Sequence, residues 1–138
     1  MTLKLIHVGL GGWGSNWAKN VVELNKRVQT VAWVEVVPEA LAQAQETLKL
    51  PKERCFATLE DALAKYDADA VLITASLPGH IPVTRAALQA KKHVLLEKPF
   101  APTVAEAQEM VELAEKNQRI LMISQNYRYY PAVRKVVE

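Results

Sequence analysis

Three glycines, Gly9, Gly11 and Gly14, stand in the spacing G-x-G-x-x-G within VGLGGWGSNW, residues 8–17, and an acid, Glu35, lies 21 residues beyond the third. Between a strand and a helix, such a loop suits a pyrophosphate. Gly9 permits a tight turn, Gly11 lets a phosphate reach the backbone, and Gly14 lets the helix pack close to the strand. The helix start offers free N–H groups and partial positive charge to the phosphates. Glu35, at the end of a second strand, is placed to accept ribose hydroxyls. Two other nucleotide loops are excluded. A P-loop needs Lys after its last glycine, where Ser15 stands. A methyltransferase-type G-x-G-x-G fails at Trp13.

These residues work only if the elements around them form. LKLIHV (3–8) reads as a strand, and Trp13, Trp17, Val21 and Leu24 recur at helical spacing over 13–26. Trp17 and Val21 are read as the buried face. Trp13 borders the cofactor or packs against the fold. VAWVEV (31–36) reads as a second strand, and Pro38 opens a helix through Leu41, Ala44 and Leu48. CFA (55–57) is a short strand. Thr58 caps a helix with Leu59, Ala62, Leu63 and Tyr66 on one face. AVLIT (70–74) is a buried-type strand, followed by a helix over IPVTRAALQAKK (81–92) with Val83, Ala86, Ala87 and Ala90 inward. HVLL (93–96) is the fifth strand. Thr103 and Glu106 form a capping box for a helix with Val104, Ala107, Val111 and Ala114 on one face. ILMIS (120–124) is the sixth strand, and Pro131 starts a further helix.

Alternating strands and helices imply βαβ units and a parallel sheet. Continuous apolar strands fit a sheet covered on both faces. The fold class is α/β, a doubly wound Rossmann-type sheet of six strands in the order 3-2-1-4-5-6.

The 138 residues suit one domain, and a net charge of +2 without a basic run argues against nucleic acid or an anionic membrane as partner. Cys55 is the sole cysteine, so neither a disulfide framework nor a cysteine metal site is expected. It is read as buried and inert. No signal segment or spanning stretch is evident, and a cytoplasmic location is the expectation. VRKVVE ends without a cap, which reads as a truncated helix.

HVLLEKPFAPTVAEAQEMVELAEK (93–116) carries Glu97-Lys98-Pro99 between strand and capped helix, and ISQNYRYYPAVRKV (123–136) carries Arg128 and aromatics before Pro131. With GLGGWG and ASLPGHIPVTRAALQAKKHV, these stretches resemble the N-terminal domain of the Gfo/Idh/MocA oxidoreductases. That family uses NAD or NADP to oxidise or reduce sugars, inositols and related polyols. The resemblance implies that Gly9, Leu10, Gly11, Gly12, Trp13 and Gly14 hold the pyrophosphate and Glu35 the adenosine ribose. It implies that Thr74, Ala75 and Ser76 line the cofactor cleft, with Pro78 and His80 at the next helix start. Glu97 and Lys98 fall at the nicotinamide end, and Gln125, Asn126 and Arg128 approach the nicotinamide or the substrate. For His80 a purely structural role stands equal with a cleft-lining one, whereas His7 and His93 read as structural. Tyr127, Tyr129 and Tyr130 read as packing or interface residues.

Lys98 precedes Pro99, which steers it from helical geometry and leaves it extended at the carboxyl end of the fifth strand. A lysine there can orient a substrate hydroxyl and ease its deprotonation, and it is the candidate catalytic residue. No Arg or Lys follows Glu35, which is succeeded by Val36 and Val37, so NAD is expected over NADP. The expectation is thus residues 1–138 as the NAD-binding domain of an enzyme acting on a sugar-like polyol. The family's second, substrate domain is absent, so the chain alone binds cofactor without turnover. A homo-oligomer could form through that missing domain. The alternative is an NAD-sensing module without catalysis.

Overall fold

The structure, a computed structural model, describes residues 2–137. Six parallel strands form one sheet: β1 (Leu3–Val8), β2 (Val28–Val34), β3 (Cys55–Phe56), β4 (Ala70–Ile73), β5 (His93–Glu97) and β6 (Leu121–Ser124). Their spatial order is β3-β2-β1-β4-β5-β6, as the sequence predicts. Between β1 and β4 the winding reverses, and the carboxyl ends there diverge into a crevice.

Strand alternation divides the core. Ile6, Val8, Val71, Ile73, Val94 and Leu96 point to one face, where they meet Leu59, Ala62, Ala87, Leu88 and Ala114 of α3 (Leu59–Lys65), α4 (Leu77–Gln89) and α5 (Val104–Lys116). Leu5, Ala70 and Leu72 point to the other and meet Val22, with Trp17, Val28 and Leu95 packed around them. Over β5 and β6 this second face stays partly open: Leu95 is half-buried and Met122 is 46% exposed. The expected two-sided cover holds over the middle of the sheet only.

Several boundaries differ from the sequence reading, each for a local reason. β2 starts at Val28 rather than Val31, and its pairing to β1 shifts between Leu5 and Ile6, so Val31 is one residue more than β1 can match. α1 spans Gly12–Trp17 and continues as a π-turn over Ala18–Val22. The wider turn moves the inward position from Val21 to Val22, so Val21 and Leu24 face solvent. α4 begins at Leu77, four residues before Ile81, and carries Pro82 inside its first turns; Ile81, Thr84 and Leu88 face inward and Ala90 is exposed. α5 starts under its Thr103 cap as expected, but Met110 and Ala114 are its buried residues, while Val104 is 84% exposed and Val111 also points outward. α2 (Pro38–Leu48) and α6 (Pro131–Val137) form where Pro38 and Pro131 place their starts.

Candidate functional site

The crevice is built first from the turn after β1. Gly9 adopts φ +92°, a left-handed conformation that a side chain disfavours, and a Cβ there would run into the Ala75 backbone. Gly14 lies against the Gly9 carbonyl and the Thr74 hydroxyl, with no room for a Cβ. Gly11 and Gly12 are different: a Cβ added at either meets nothing within 4 Å, and of the two only Gly11 borders both of the hollows beside this turn.

Polar contacts fix this turn from beneath. The Thr74 hydroxyl donates to the Gly9 carbonyl at 2.7 Å, so its oxygen must accept from His7 Nε2, 2.8 Å away. His7 is therefore the Nε2–H tautomer, and its Nδ1 is buried without a partner. Burial pushes the His7 imidazolium down to a pKa of about 4. Glu35, itself buried, accepts the Leu10 N–H at 2.7 Å through Oε2 and the Val37 N–H at 3.0 Å through Oε1. Ser15 adds a bond from its hydroxyl to the Leu10 carbonyl at 2.7 Å.

Two hollows flank the turn. The one on the Glu35 side, about 500 Å³, is lined by Gly9, Gly11, Glu35, Val36, Val37 and Pro78 among others. The one on the Lys98 side, about 700 Å³, is lined by Gly11, Gly12, Trp13 and Gly14, by Glu97 and Lys98, and by Gln125, Asn126 and Tyr127. Thr74, Ala75 and Ser76 belong to both walls. The two hollows share Gly11 and together form one trough across the carboxyl ends of β1, β4 and β5.

Most of the residues marked in the sequence meet along this trough. Leu10 turns its side chain into the interior, and its backbone N–H meets Glu35. Trp13 is 56% exposed at the trough's edge. His80 lies behind the wall: its two ring nitrogens stand 2.8 Å from the Pro99 carbonyl and 3.0 Å from the Ala75 carbonyl, joining the loops after β4 and β5. Arg128 sits outside both hollows, exposed on a 3-10 turn (Asn126–Tyr129), its guanidinium 5.7 Å from the Tyr129 ring centre. Tyr127, Tyr129 and Tyr130 are exposed, and the first and last stack with ring centres 5.1 Å apart.

Cys55 is half-buried, not fully, with its thiol on the Pro51 carbonyl; burial raises its pKa. His93 accepts the Ile120 N–H through Nδ1, a structural tie. Among the described residues no cluster could hold a metal ion, and no helix is long and apolar enough to cross a membrane.

Like the Glu35–Leu10 bond, a second long-range contact escaped the sequence reading. Trp17 donates its indole N–H to Glu97 Oε1 at 2.9 Å, and Glu97 Oε2 takes the Lys98 N–H at 3.0 Å. Eighty residues separate the first pair, so no local pattern announces it.

A parallel sheet of this order, with a glycine turn opening a helix at the winding reversal and an acid closing the second strand, defines a dinucleotide-binding Rossmann domain. The chain belongs to the Gfo/Idh/MocA family: residues 3–125 match its model, described as an oxidoreductase family with an NAD-binding Rossmann fold. An inositol 2-dehydrogenase of Salmonella typhimurium is 35% identical over 130 residues, covering 94% of this chain and 38% of that protein. The myo-inositol 2-dehydrogenase of Lactobacillus plantarum superposes with a TM-score of 0.83 at 25% identity, over 99% of this chain and 40% of that one. The WlbA dehydrogenase of Chromobacterium violaceum, solved with NADH and UDP-GlcNAcA, gives a TM-score of 0.86 at 27% identity, over 98% and 38%. The chain thus spans about two fifths of the length of the relatives it matches.

Proposed function

We propose that this chain is the NAD-binding domain of a two-domain oxidoreductase that transfers hydride to or from a polyol or sugar, with the substrate domain lying outside these 138 residues. The observation that carries the cofactor reading is the contrast among the glycines. Gly9 and Gly14 are required by the protein's own packing, whereas Gly11 borders open space at the point where the two hollows join. A glycine that the fold does not need there fits a pyrophosphate lying against the backbone.

Glu35 has both oxygens on backbone N–H groups, yet a carboxylate keeps further lone pairs for ribose hydroxyls. With Val36 and Val37 beside it and no cation, the Glu35 side suits NAD better than NADP. The Lys98 side then receives the nicotinamide. The chemistry a bound NAD supplies there is hydride exchange at the nicotinamide ring. Lys98, exposed at the mouth of that hollow, orients a substrate hydroxyl and eases its deprotonation. His80 holds the loop after Lys98 to the loop after β4. The inositol dehydrogenases among the relatives support a polyol as substrate class. Lys98 also separates this reading from an NAD sensor, which has no use for an ammonium at the hydride-transfer end.

Calorimetric titration of the chain with NADH tests the cofactor reading; no saturable binding would end it. Assay of the full-length protein with NAD and a panel of inositols and sugars tests the reaction. Cofactor binding without turnover of any of them would leave the sensor.

A further inference from the structure

Glu97 is a buried carboxylate in an unusual position. It is 6% exposed, yet it lines the Lys98-side hollow beside Lys98 and Asn126. No salt bridge among the described residues involves it. Its two hydrogen bonds come from neutral donors, the Trp17 indole at 2.9 Å and the Lys98 backbone N–H at 3.0 Å. A carboxylate accepts about four hydrogen bonds. Glu97 therefore presents unused acceptor capacity, at a fixed orientation, to the hollow. A buried anion in that condition favours a donor from whatever occupies the space.

Trp17 sets that orientation. Among the described residues its indole is the one side chain bonded to Glu97, reaching from α1 across to the end of β5. The helix geometry changes directly after it, where the π-turn begins at Ala18. Trp17 can thus point to Glu97 while Val22 still packs into the core.

We propose that Trp17 is a positioning residue that fixes the Glu97 carboxylate to accept the carboxamide N–H of the nicotinamide ring. This rests on the cofactor reading above. The carboxamide amino group is the only hydrogen-bond donor the nicotinamide ring carries, and the hollow that Glu97 faces is the one opposite the Glu35 side. The contact selects a ring bearing a primary amide, and it holds that ring against the same strand end that carries Lys98.

The test compares three ligands by calorimetry: NAD, its 3-acetylpyridine analogue, whose ring carries a methyl ketone in place of the amide, and ADP-ribose, which has no ring. The chain is used as wild type, Trp17→Phe and Trp17→His. Phenylalanine keeps apolar bulk and loses the N–H, whereas the imidazole offers a ring N–H at similar reach from Cβ. Wild type should prefer NAD to the analogue. Trp17→Phe should bind NAD about tenfold more weakly, the size of one hydrogen bond to a charged group, and should no longer distinguish the analogue. Its affinity for ADP-ribose should be unchanged, and Trp17→His should recover most of the loss.

Equal NAD affinity in Trp17→Phe would overturn the proposal. So would a parallel loss of NAD and ADP-ribose, which would make Trp17 a structural tie only. If a melting curve shows Trp17→Phe unfolded, Glu97→Met, which keeps the length and removes the acceptor oxygens, serves in its place, with lost discrimination expected and retained discrimination fatal. A wild type that binds neither NAD nor ADP-ribose would refute the cofactor reading itself, and this inference with it.

Discussion

The Leu10 N–H donates to Glu35 Oε2 at 2.7 Å, which ties the glycine loop of β1 to the end of β2. One carboxylate therefore shapes the turn and faces the hollow beside it. NADH should bind more tightly than NADPH, because a 2′-phosphate near Glu35 meets like charge, at about 4 kcal/mol per unit charge at 4 Å near a surface. Glu35→Ala should lower NADH affinity and also stability, by about 1–3 kcal/mol for the stranded Leu10 and Val37 N–H groups. Fluorescence titration with both cofactors and urea denaturation measure these effects. NADPH binding as tight as NADH would remove Glu35 from ribose recognition.

The glycines should separate under substitution. Gly14→Ala drives a Cβ into the Gly9 carbonyl and should destabilise the fold by more than about 2 kcal/mol. Gly11→Ala meets no atom and sits at φ −59°, ψ −176°, which alanine can adopt, and the gain from a stiffer unfolded chain is offset by the poorer helix N-cap, so stability should change by less than about 1 kcal/mol. NADH affinity should nevertheless fall in Gly11→Ala. Thermal melts paired with calorimetry decide; unchanged affinity in Gly11→Ala would show that no phosphate lies there.

His7 should make the fold acid-sensitive above the carboxylate range. Its folded pKa, about 4, lies below the ordinary 6.5, so below pH 6.5 the unfolded chain binds a proton that the folded chain refuses. The stability tied to its neutral form is present above pH 6.5 and lost as pH falls towards 4, by about 3 kcal/mol in all. Urea midpoints between pH 7.5 and 4 should fall accordingly, and His7→Leu should flatten that slope. An equal slope in the variant would assign the acid sensitivity elsewhere.

Lys98→Ala in the full-length protein should lower turnover at least about 100-fold, the lower range for general acid–base help. NAD affinity should hardly move if, as proposed, Glu35 and the glycine turn carry it. Steady-state kinetics beside an NAD titration make the comparison; near-normal turnover would return Lys98 to solvent.

The sheet order and the two threonine caps were legible in the sequence because their signals are local. Thr58 and Thr103 each accept the backbone N–H three residues on, from Asp61 and Glu106, and apolar runs mark the strands. Helix faces were less legible. In α5, Val104 and Val111 fit an apolar stripe as well as Met110 and Ala114 do, and only packing against α4 and the sheet selects the second pair. In α4, the expected start is Ile81, although the helix begins at Leu77. At the candidate site the glycines and Glu35 were readable from spacing. The Glu35–Leu10 and Trp17–Glu97 bonds were not, since side chains 25 and 80 residues apart meet only once the sheet is wound.

The π-turn at Ala18–Val22 divides one continuous helix into two registers. Before it the helix keeps step with the trough, through Gly14 and Trp17; after it the helix keeps step with the sheet, through Val22 against Leu5 and Leu72. A turn holding one surplus residue is where chain length can change most cheaply. Deleting one residue among positions 18–22 would restore ordinary helical winding without rotating Trp17, so the end of this helix that borders the trough and the end that anchors it to the sheet are uncoupled in register.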